Sequence, residues 1–321
     1  MDNGKRKEHL HEKSGERGAA SSEMFVVQTP ELFRFEPNLR YLARSSNECM
    51  YRIEDGFVYK AISAGEDAAV IQVGESPEGG LAVRLLGAAS GSRAGEGLRA
   101  AAMREVKEWF DLERDLSPFY ALAASDPLLV EPARRFYGLR LMGIPDLFEA
   151  LCWGIIGQQI NLAFAYTLKR RLVEAYGRPI DADGHRYWLF PRPEEIAALS
   201  PTDLEPLRMT VKKCEYLIGA AEAIASGTLS KERLTAAGSL KEAEKLLTGM
   251  RGIGPWTANY AVMRCLRLPD AFPIDDVGLH NALKQQLGLD RKPTKAELLE
   301  LSKGWSGWEA YATFYLWRLL Y

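Results

Sequence analysis

At about residue 111 the apolar residues of this chain change period, and no single kind of regular structure suits both halves. From about residue 24 to 88 they alternate with a period of two; beyond that they recur every three or four positions. Alternation suits strands with one buried face, and a period near 3.6 suits amphipathic helices. The expected fold class is therefore α+β, with a small N-terminal antiparallel sheet domain followed by a larger all-α body. The expected division is a disordered tail at 1–23, the sheet domain at 24–115 and the helical region at 116–321.

In the first half, Tyr51-Arg52-Ile53-Glu54 and Phe57-Val58-Tyr59-Lys60 flank Asp55-Gly56. Asp-Gly suits the positive-φ turn that matches strand twist, so this segment predicts a hairpin. Ala69–Val73 and Leu81–Leu86 predict two further strands across Gly79-Gly80, and Ser90–Gly97 reads as a loop before a helix at Ala101–Phe110. In the second half, Phe148, Leu151, Cys152, Ile155 and Ile156 share one helix face, and Leu162, Ala165, Leu168 and Leu172 another. Tyr176-Gly177 before Pro179 stops that second helix. Further helices are expected over Leu207–Ile224, Lys241–Leu247, Thr257–Leu266, Gly278–Leu287 and Trp308–Leu319.

Composition excludes several classes. Hydrophobic residues at 47% and charged residues at 26% are ordinary globular proportions. No apolar run reaches the ~18 residues of a membrane span, and the polar start carries no secretory h-region. Cys49, Cys152, Cys214 and Cys265 are too scattered to read as a zinc or iron–sulfur set, and reduced thiols in a cytoplasmic protein are expected. The net charge of −2 argues weakly against a nucleic-acid partner, so local basic spots must decide: Lys169-Arg170-Arg171, Lys212-Lys213 and Arg251. Solvated helix faces are the default explanation of such runs.

The segment Leu246–Ala258 carries the first chemical signal. A helix ends near Gly249, a tight turn is built on Gly252 and Gly254, and a second helix opens near Pro255, with Ile253 anchoring the turn between them. Backbone N–H groups in such a turn, beside a helix N-terminus, suit a phosphate oxygen. A plain helix–helix turn would carry the same glycines. No strand precedes the turn and no glycine stands three residues after Gly254, so it is not a dinucleotide fingerprint. Farther on, Phe272-Pro273-Ile274 leads to Asp275-Asp276 at the start of another helix, with Asp276 read as exposed and Asp275 as the cap or hydrogen-bonding support. Capping alone would explain an acid there. An ionised carboxylate could equally stabilise a cationic sugar and orient a water.

Taken together, Gly252-Ile253-Gly254-Pro255-Trp256-Thr257-Ala258-Asn259-Tyr260, Phe272-Pro273-Ile274-Asp275-Asp276 and Ile155-Ile156-Gly157-Gln158-Gln159-Ile160 resemble the helix-hairpin-helix DNA glycosylase superfamily. Within it, the small sheet ahead of a helical body resembles the DNA-3-methyladenine glycosylase II type. The resemblance implies a monofunctional enzyme that removes alkylated purines from damaged double-stranded DNA, with Asp276 as catalytic acid. Trp256 stands where members that also cut the backbone carry a lysine nucleophile, so no Schiff base is expected there. Gln159 falls where members push a side chain into the gap left by the extruded base; the usual residue is aliphatic, and Gln158 and Gln159 could instead only cap and pin a helix.

Trp256, Tyr260 and Trp317 match pocket positions in the same family, although core packing explains most of the aromatics around Trp305, Trp308, Tyr311 and Tyr315. Val277 stands where some relatives have a tyrosine, which implies a more open pocket. Arg251, Gly252, Ile253, Gly254 and Thr257 are the residues expected to meet DNA. A monovalent cation at the hairpin carbonyls is a family trait; no other cofactor or metal site is expected, and a monomer is. The competing expectations are an 8-oxoguanine-type glycosylase, against which Trp256 counts, and a non-catalytic DNA-binding protein, against which Asp276 counts.

Overall fold

The computed structural model describes residues 24–87 and 93–321. The tail expected at 1–23 and residues 90–92 of the expected loop lie outside the described residues. Strands β1 (Met24–Val27), β2 (Tyr51–Glu54), β3 (Phe57–Ala64), β4 (Asp67–Glu75) and β5 (Leu81–Leu86) form one antiparallel sheet in the order β1-β5-β4-β3-β2. Glu54 pairs with Phe57, which leaves Asp55 (φ 50°) and Gly56 (φ 80°) as the two-residue turn that the Asp-Gly pair predicts.

Helix α1 (Phe35–Leu42) lies between β1 and β2, and α2 (Arg93–Trp109) follows the sheet. The loop expected at Ser90–Gly97 is thus already helical from Arg93 onward. Phe25, Val27, Val58, Ile71, Val73, Leu81, Val83 and Leu85 form the sheet's inner face and pack with Leu98, Ala102 and Val106 of α2. Burying each large aliphatic side chain contributes about 1.5–3 kcal/mol.

The body follows as α3 (Ser117–Ser125), α4 (Val130–Arg135), α5 (Leu147–Gly157), α6 (Leu162–Tyr176), α7 (Pro193–Ala197), α8 (Val211–Ala225), α9 (Lys231–Ala236) and α10 (Leu240–Thr248). It ends with α11 (Pro255–Ala261), α12 (Val277–Gln286), α13 (Lys295–Leu301) and α14 (Glu309–Trp317). Polar caps start most of the helices that matter below. Asp146, Asn161, Thr210, Ser239 and Asp276 each accept the backbone N–H three residues on, and each such cap contributes about 1 kcal/mol. The helix expected from Leu207 begins only at Val211, because Arg208 takes a left-handed φ of 61° and Thr210 caps the true start. Helix α11 runs on into a π-helical turn at Val262–Leu266. Helix α14 is buried from Ala310 to Trp317, with Tyr311 and Tyr315 in the core as the packing explanation expects.

One element within the helical body goes beyond the expectation. Strands β6 (Arg178–Ala182) and β7 (His185–Leu189) make a second antiparallel hairpin, again on an Asp-Gly turn, with Asp183 at φ 48° and Gly184 at φ 75°. Tyr187 of β7 packs with Ala61, Val70 and Leu86 on the outer face of the five-stranded sheet, its ring 6.3 Å from that of Tyr59. The sheet is therefore covered on both sides. Asn38 of α1, fully buried, locks the seam between the parts: its Nδ2 donates to Gly138 O (3.1 Å) and its Oδ1 accepts from Arg140 N (2.9 Å).

Candidate active site

Helix α10 ends at Thr248, and Gly249 closes it. Gly252 then takes φ +87°, and a Cβ there would lie 2.1 Å from Cγ of the Tyr216 ring on α8, so only glycine satisfies both the turn and the packing. Ile253 is buried beneath the turn and donates its N–H to Met250 O (3.2 Å). Gly254 caps α11 in open space, with Pro255 at the first helical position. The first N–H groups of α11 have no carbonyl within the helix to bond. An exposed helix start beside a glycine turn results, and unpaired N–H groups of this kind suit an anion.

Gln158 couples this hairpin to α5. Its Nε2 donates to Gly252 O (2.9 Å) and to Thr257 Oγ1 (3.1 Å). Helix α11 also runs close against α5, where a Cβ on Gly154 would lie 2.8 Å from Thr257 Cγ2. Gln159 is different: it is exposed, with a left-handed φ of 57°, on the loop between α5 and α6. Neither glutamine caps α6, a role taken by Asn161, whose Oδ1 accepts from Phe164 N (2.8 Å).

Asp276 is the N-cap of α12, and at 9% exposure it is buried, not exposed as the sequence suggested. Its Oδ1 accepts from Leu279 N (2.8 Å) and Trp317 Nε1 (2.8 Å), and its Oδ2 accepts from Trp256 Nε1 (3.0 Å). A carboxylate has about four acceptor positions, so roughly one remains, on Oδ2. The cap role expected of Asp275 belongs to Asp276, while Asp275 is exposed and pairs with Lys295 Nζ (2.9 Å). His280, one turn into α12, has Nε2 2.9 Å from Ile274 O and Nδ1 2.8 Å from Pro293 O, and its neutral ring donates to one of these two carbonyls, according to the tautomer.

The two indoles on Asp276 belong to an aromatic wall. Tyr260 stacks on Trp256 at 5.6 Å and 28°, and the Trp317 ring lies 6.3 Å from that of Tyr260. Trp256 also reaches the loop of Gln158 and Gln159, since its Cη2 is 3.9 Å from where a Cβ on Gly157 would be. Arg264, in the π-helical turn, donates NH1 to the Tyr260 hydroxyl and Nε to Met142 O, both at 2.7 Å. Burial raises the pKa of that hydroxyl, with Arg264 opposing the rise. Asn259, for which the sequence suggests no role, ties the segment leading to Asp276 onto α10 and α11: Phe272 N donates to its Oδ1 (3.0 Å), and its Nδ2 donates to Glu244 Oε2 (3.0 Å).

The other expected contacts divide. Arg251 is exposed on the hairpin, pairs with Glu215 (2.9 Å) and lies over the Tyr216 ring. Thr257 turns its side chain inward, so only its backbone N–H is left for DNA. Two lysines of the basic spots are not solvated, although Lys212 beside one of them is exposed. Lys169 is buried between Glu149 (2.9 Å) and Glu48 (3.2 Å), and Lys213 donates from a buried position to Ile156 O (2.8 Å). Burial opposes the charge of Lys169, but the two glutamates outweigh it and raise its pKa; Lys213, without an acid, is lowered by burial. The four cysteines are free thiols, and burial pushes Cys49 and Cys265 up to about 12. Among the described residues no cluster of three His, Cys, Asp or Glu suits a metal ion, and no helix is long and apolar enough to cross a membrane.

Residues 152–307 match the family described as HhH-GPD superfamily base excision DNA repair protein, and residues 46–151 match the 8-oxoguanine DNA glycosylase N-terminal domain. The chain is similar to the DNA-3-methyladenine glycosylase of Bacillus subtilis (strain 168), at 54% identity over 94% of this chain and 98% of that one. It is 36% identical to DNA-3-methyladenine glycosylase 2 of Escherichia coli (strain K12), over 56% of this chain and 60% of that one. The solved structure of a 3-methyladenine DNA glycosylase from Archaeoglobus fulgidus has the same fold, with a TM-score of 0.75 at 22% identity over 92% of this chain and 97% of that one.

Proposed function

The chain belongs to the HhH-GPD superfamily of base excision DNA repair proteins, and from that premise we propose that it hydrolyses the N-glycosidic bond of alkylated purines in duplex DNA, leaving an abasic site. The observation that carries this reading is the fixed carboxylate of Asp276, held by Trp256 Nε1 and Trp317 Nε1 against an aromatic wall. Purines alkylated at N3 or N7 are cationic, and an aromatic face attracts a cation by about 0.5–2 kcal/mol. As the bond to the base lengthens, positive charge grows on the sugar. A nearby preorganised carboxylate stabilises that charge without reorganising. With three N–H donors already on it, Asp276 serves chiefly as a fixed negative charge, and its remaining acceptor position orients water.

The hairpin grips a phosphate through the backbone at Gly252, Gly254 and the start of α11. Gln159, exposed at its loop tip, fills the gap that extrusion leaves, while Gln158 is committed to the hairpin. Trp256 offers no amine for a Schiff base, so the backbone stays uncut. The match of residues 46–151 to an 8-oxoguanine glycosylase domain concerns strands β2 to β5, helices α2, α3 and α4 and the first turn of α5, and leaves the chemistry at Asp276 unaffected.

A monovalent cation is compatible with the hairpin. Met250 O and Gly252 O each accept one N–H and retain a lone pair, and a bound cation would add positive charge beside the phosphate. No other cofactor is needed for this hydrolysis. We take the enzyme to act in the cytoplasm as a monomer, which sedimentation with and without a lesion duplex would check.

The test is a panel of duplexes carrying methylated purines or 8-oxoguanine, with wild type and Asp276→Asn assayed separately for base release and strand nicking. Wild type should release methylated purines without nicking, and the Asn variant should not. Base release retained by the variant would overturn the role of Asp276; a borohydride-trapped adduct would overturn the monofunctional reading.

A further inference from the structure

Three large apolar side chains stand in water around the Gln159 loop. Leu162 (48% exposed) and Phe164 (40%) occupy the first turn of α6, and Val211 (59%) opens α8. Both helix starts are firmly capped, α6 by Asn161 and α8 by Thr210. Both also flank the same loop. Lys213 Nζ, near the start of α8, reaches Ile156 O at the end of α5 (2.8 Å), and Ile160 packs in a core with Met209, apart from the core that holds the hairpin's Ile253. On its other side the loop is tied to the hairpin by Gln158. Gln159 therefore stands between the hairpin and the starts of α6 and α8. Single exposed apolar residues are ordinary, but three along one edge beside a polar loop tip suit a contact surface. The charge of this edge fits a polyanion. A helix start commonly carries an acid against its own dipole, as α9, α10, α13 and α14 do with Glu232, Glu242, Glu297 and Glu309. The first turns of α6, α8 and α11 carry none, and Arg208 and Lys212 are exposed around the start of α8.

We propose that Phe164, with Leu162 and Val211 beside it, receives the base left unpaired on the complementary strand, through stacking and apolar contact alone, without reading which base it is. The proposal rests on the glycosylase reading above. There the hairpin grips the lesion strand and Gln159 enters the gap, so the edge beyond Gln159 meets the other strand. Extrusion leaves the orphaned base without its partner and with part of its stack broken. An aromatic side chain restores stacking, and every base has a face to stack on. Telling bases apart takes donors or acceptors aimed at their edges. Leu162, Phe164 and Val211 offer none, and Asn161 Oδ1 is committed to its helix. Lys212, exposed next to Val211, adds charge for a phosphate of the same strand. An enzyme that removes both methylated adenine and methylated guanine finds thymine opposite one and cytosine opposite the other. One apolar platform serves both.

Single-turnover release of 7-methylguanine at saturating enzyme, from duplexes with cytosine, thymine or a tetrahydrofuran abasic mimic opposite the lesion, tests the proposal on wild type, Phe164→Ala and Phe164→Leu. Relative to wild type on the same duplex, Phe164→Ala should slow release about tenfold, the usual scale for one lost base–aromatic stack. The fall should be equal opposite cytosine and thymine, and it should vanish opposite tetrahydrofuran, where no base remains to be received. Phe164→Leu should recover part of the rate. An equal fall opposite tetrahydrofuran marks a structural role and overturns the platform, as does no fall on any duplex. A fall confined to one pyrimidine overturns the claim that the base is not read. If wild type releases 7-methylguanine from none of the duplexes, the glycosylase reading fails and the platform falls with it; if wild type releases it and the dependence on an opposite base is missing, the platform alone fails.

Discussion

Gln158 and Gln159 are chemically identical neighbours, yet their variants should fail in opposite ways. Gln158→Ala removes the bonds to Gly252 O and Thr257 Oγ1 in a half-buried setting. At about 1 kcal/mol per bond the loss is about 2 kcal/mol of stability, a fall of roughly 3–6 °C in Tm. The hairpin also loses its tether to α5, so affinity for undamaged duplex should weaken about tenfold or less. Gln159→Ala removes no protein contact from an exposed side chain, and alanine inherits the same left-handed backbone, so stability should stay within about 0.5 kcal/mol. Its effect should appear in single-turnover base release at saturating enzyme, where losing about 1 kcal/mol of the few that extrusion requires slows release about fivefold. Melting curves, duplex titrations and single-turnover rates on the two variants settle the matter. Equal losses of Tm in both, or normal release by Gln159→Ala, would refute the division of labour.

Four other outcomes are expected. Gly252→Ala should cost at least about 2 kcal/mol, from a strained positive φ and a clash with Tyr216, and Tyr216→Ala should recover part of the loss in a thermal melt. Lys169→Met should destabilise by about 3–5 kcal/mol in denaturant titration, because Glu48 and Glu149 would be left buried together, while the salt slope of DNA binding should not change. Trp317→Phe keeps the ring but removes one donor from Asp276, and base release should fall about tenfold with little change in KM. Asp146 opens on a cleft but is flanked by protein elsewhere, and the resulting desolvation, with Glu149 and Glu105 nearby, pushes its carboxyl up to about 6. A raised acid stabilises fully below its unfolded value near 4 and loses that contribution as pH rises through 6, so Asp146→Asn should flatten stability between pH 4 and 6, by about 1 kcal/mol or less given solvent screening.

The sequence revealed what depends on neighbours along the chain and hid what depends on partners across it. Asp55-Gly56 placed the first hairpin because turn geometry is local. The same signal at Asp183-Gly184 was passed over, since Arg178–Ala182 offers little alternation beside long helices. Helix α1 is only eight residues long and was not anticipated. Asp276 was legible as an acid opening a helix, but the indoles that hold it come from 20 residues before and 41 after, and no pattern of spacing reports such bonds. The basic runs misled for the same reason. Lys169 looks like a solvated charge until Glu48 and Glu149 close around it. Gln158 and Gln159 differ only in backbone direction at the end of α5, which one φ angle decides.

The hairpin of β6 and β7 has a consequence for how this architecture can be inherited. Its Tyr187 and the sheet's Ala61, Val70 and Leu86 form a cluster contributed by two distant stretches of chain. A descendant that discarded the sheet would expose the apolar side of the hairpin, and one that discarded the hairpin would bare the outer face of the sheet to water. The two pieces should accordingly be gained, lost or recoded together. A relative lacking the sheet is expected to show either no hairpin after its sixth helix or a polar residue in place of Tyr187, so trimming this protein to its helical region would require changing Tyr187 as well.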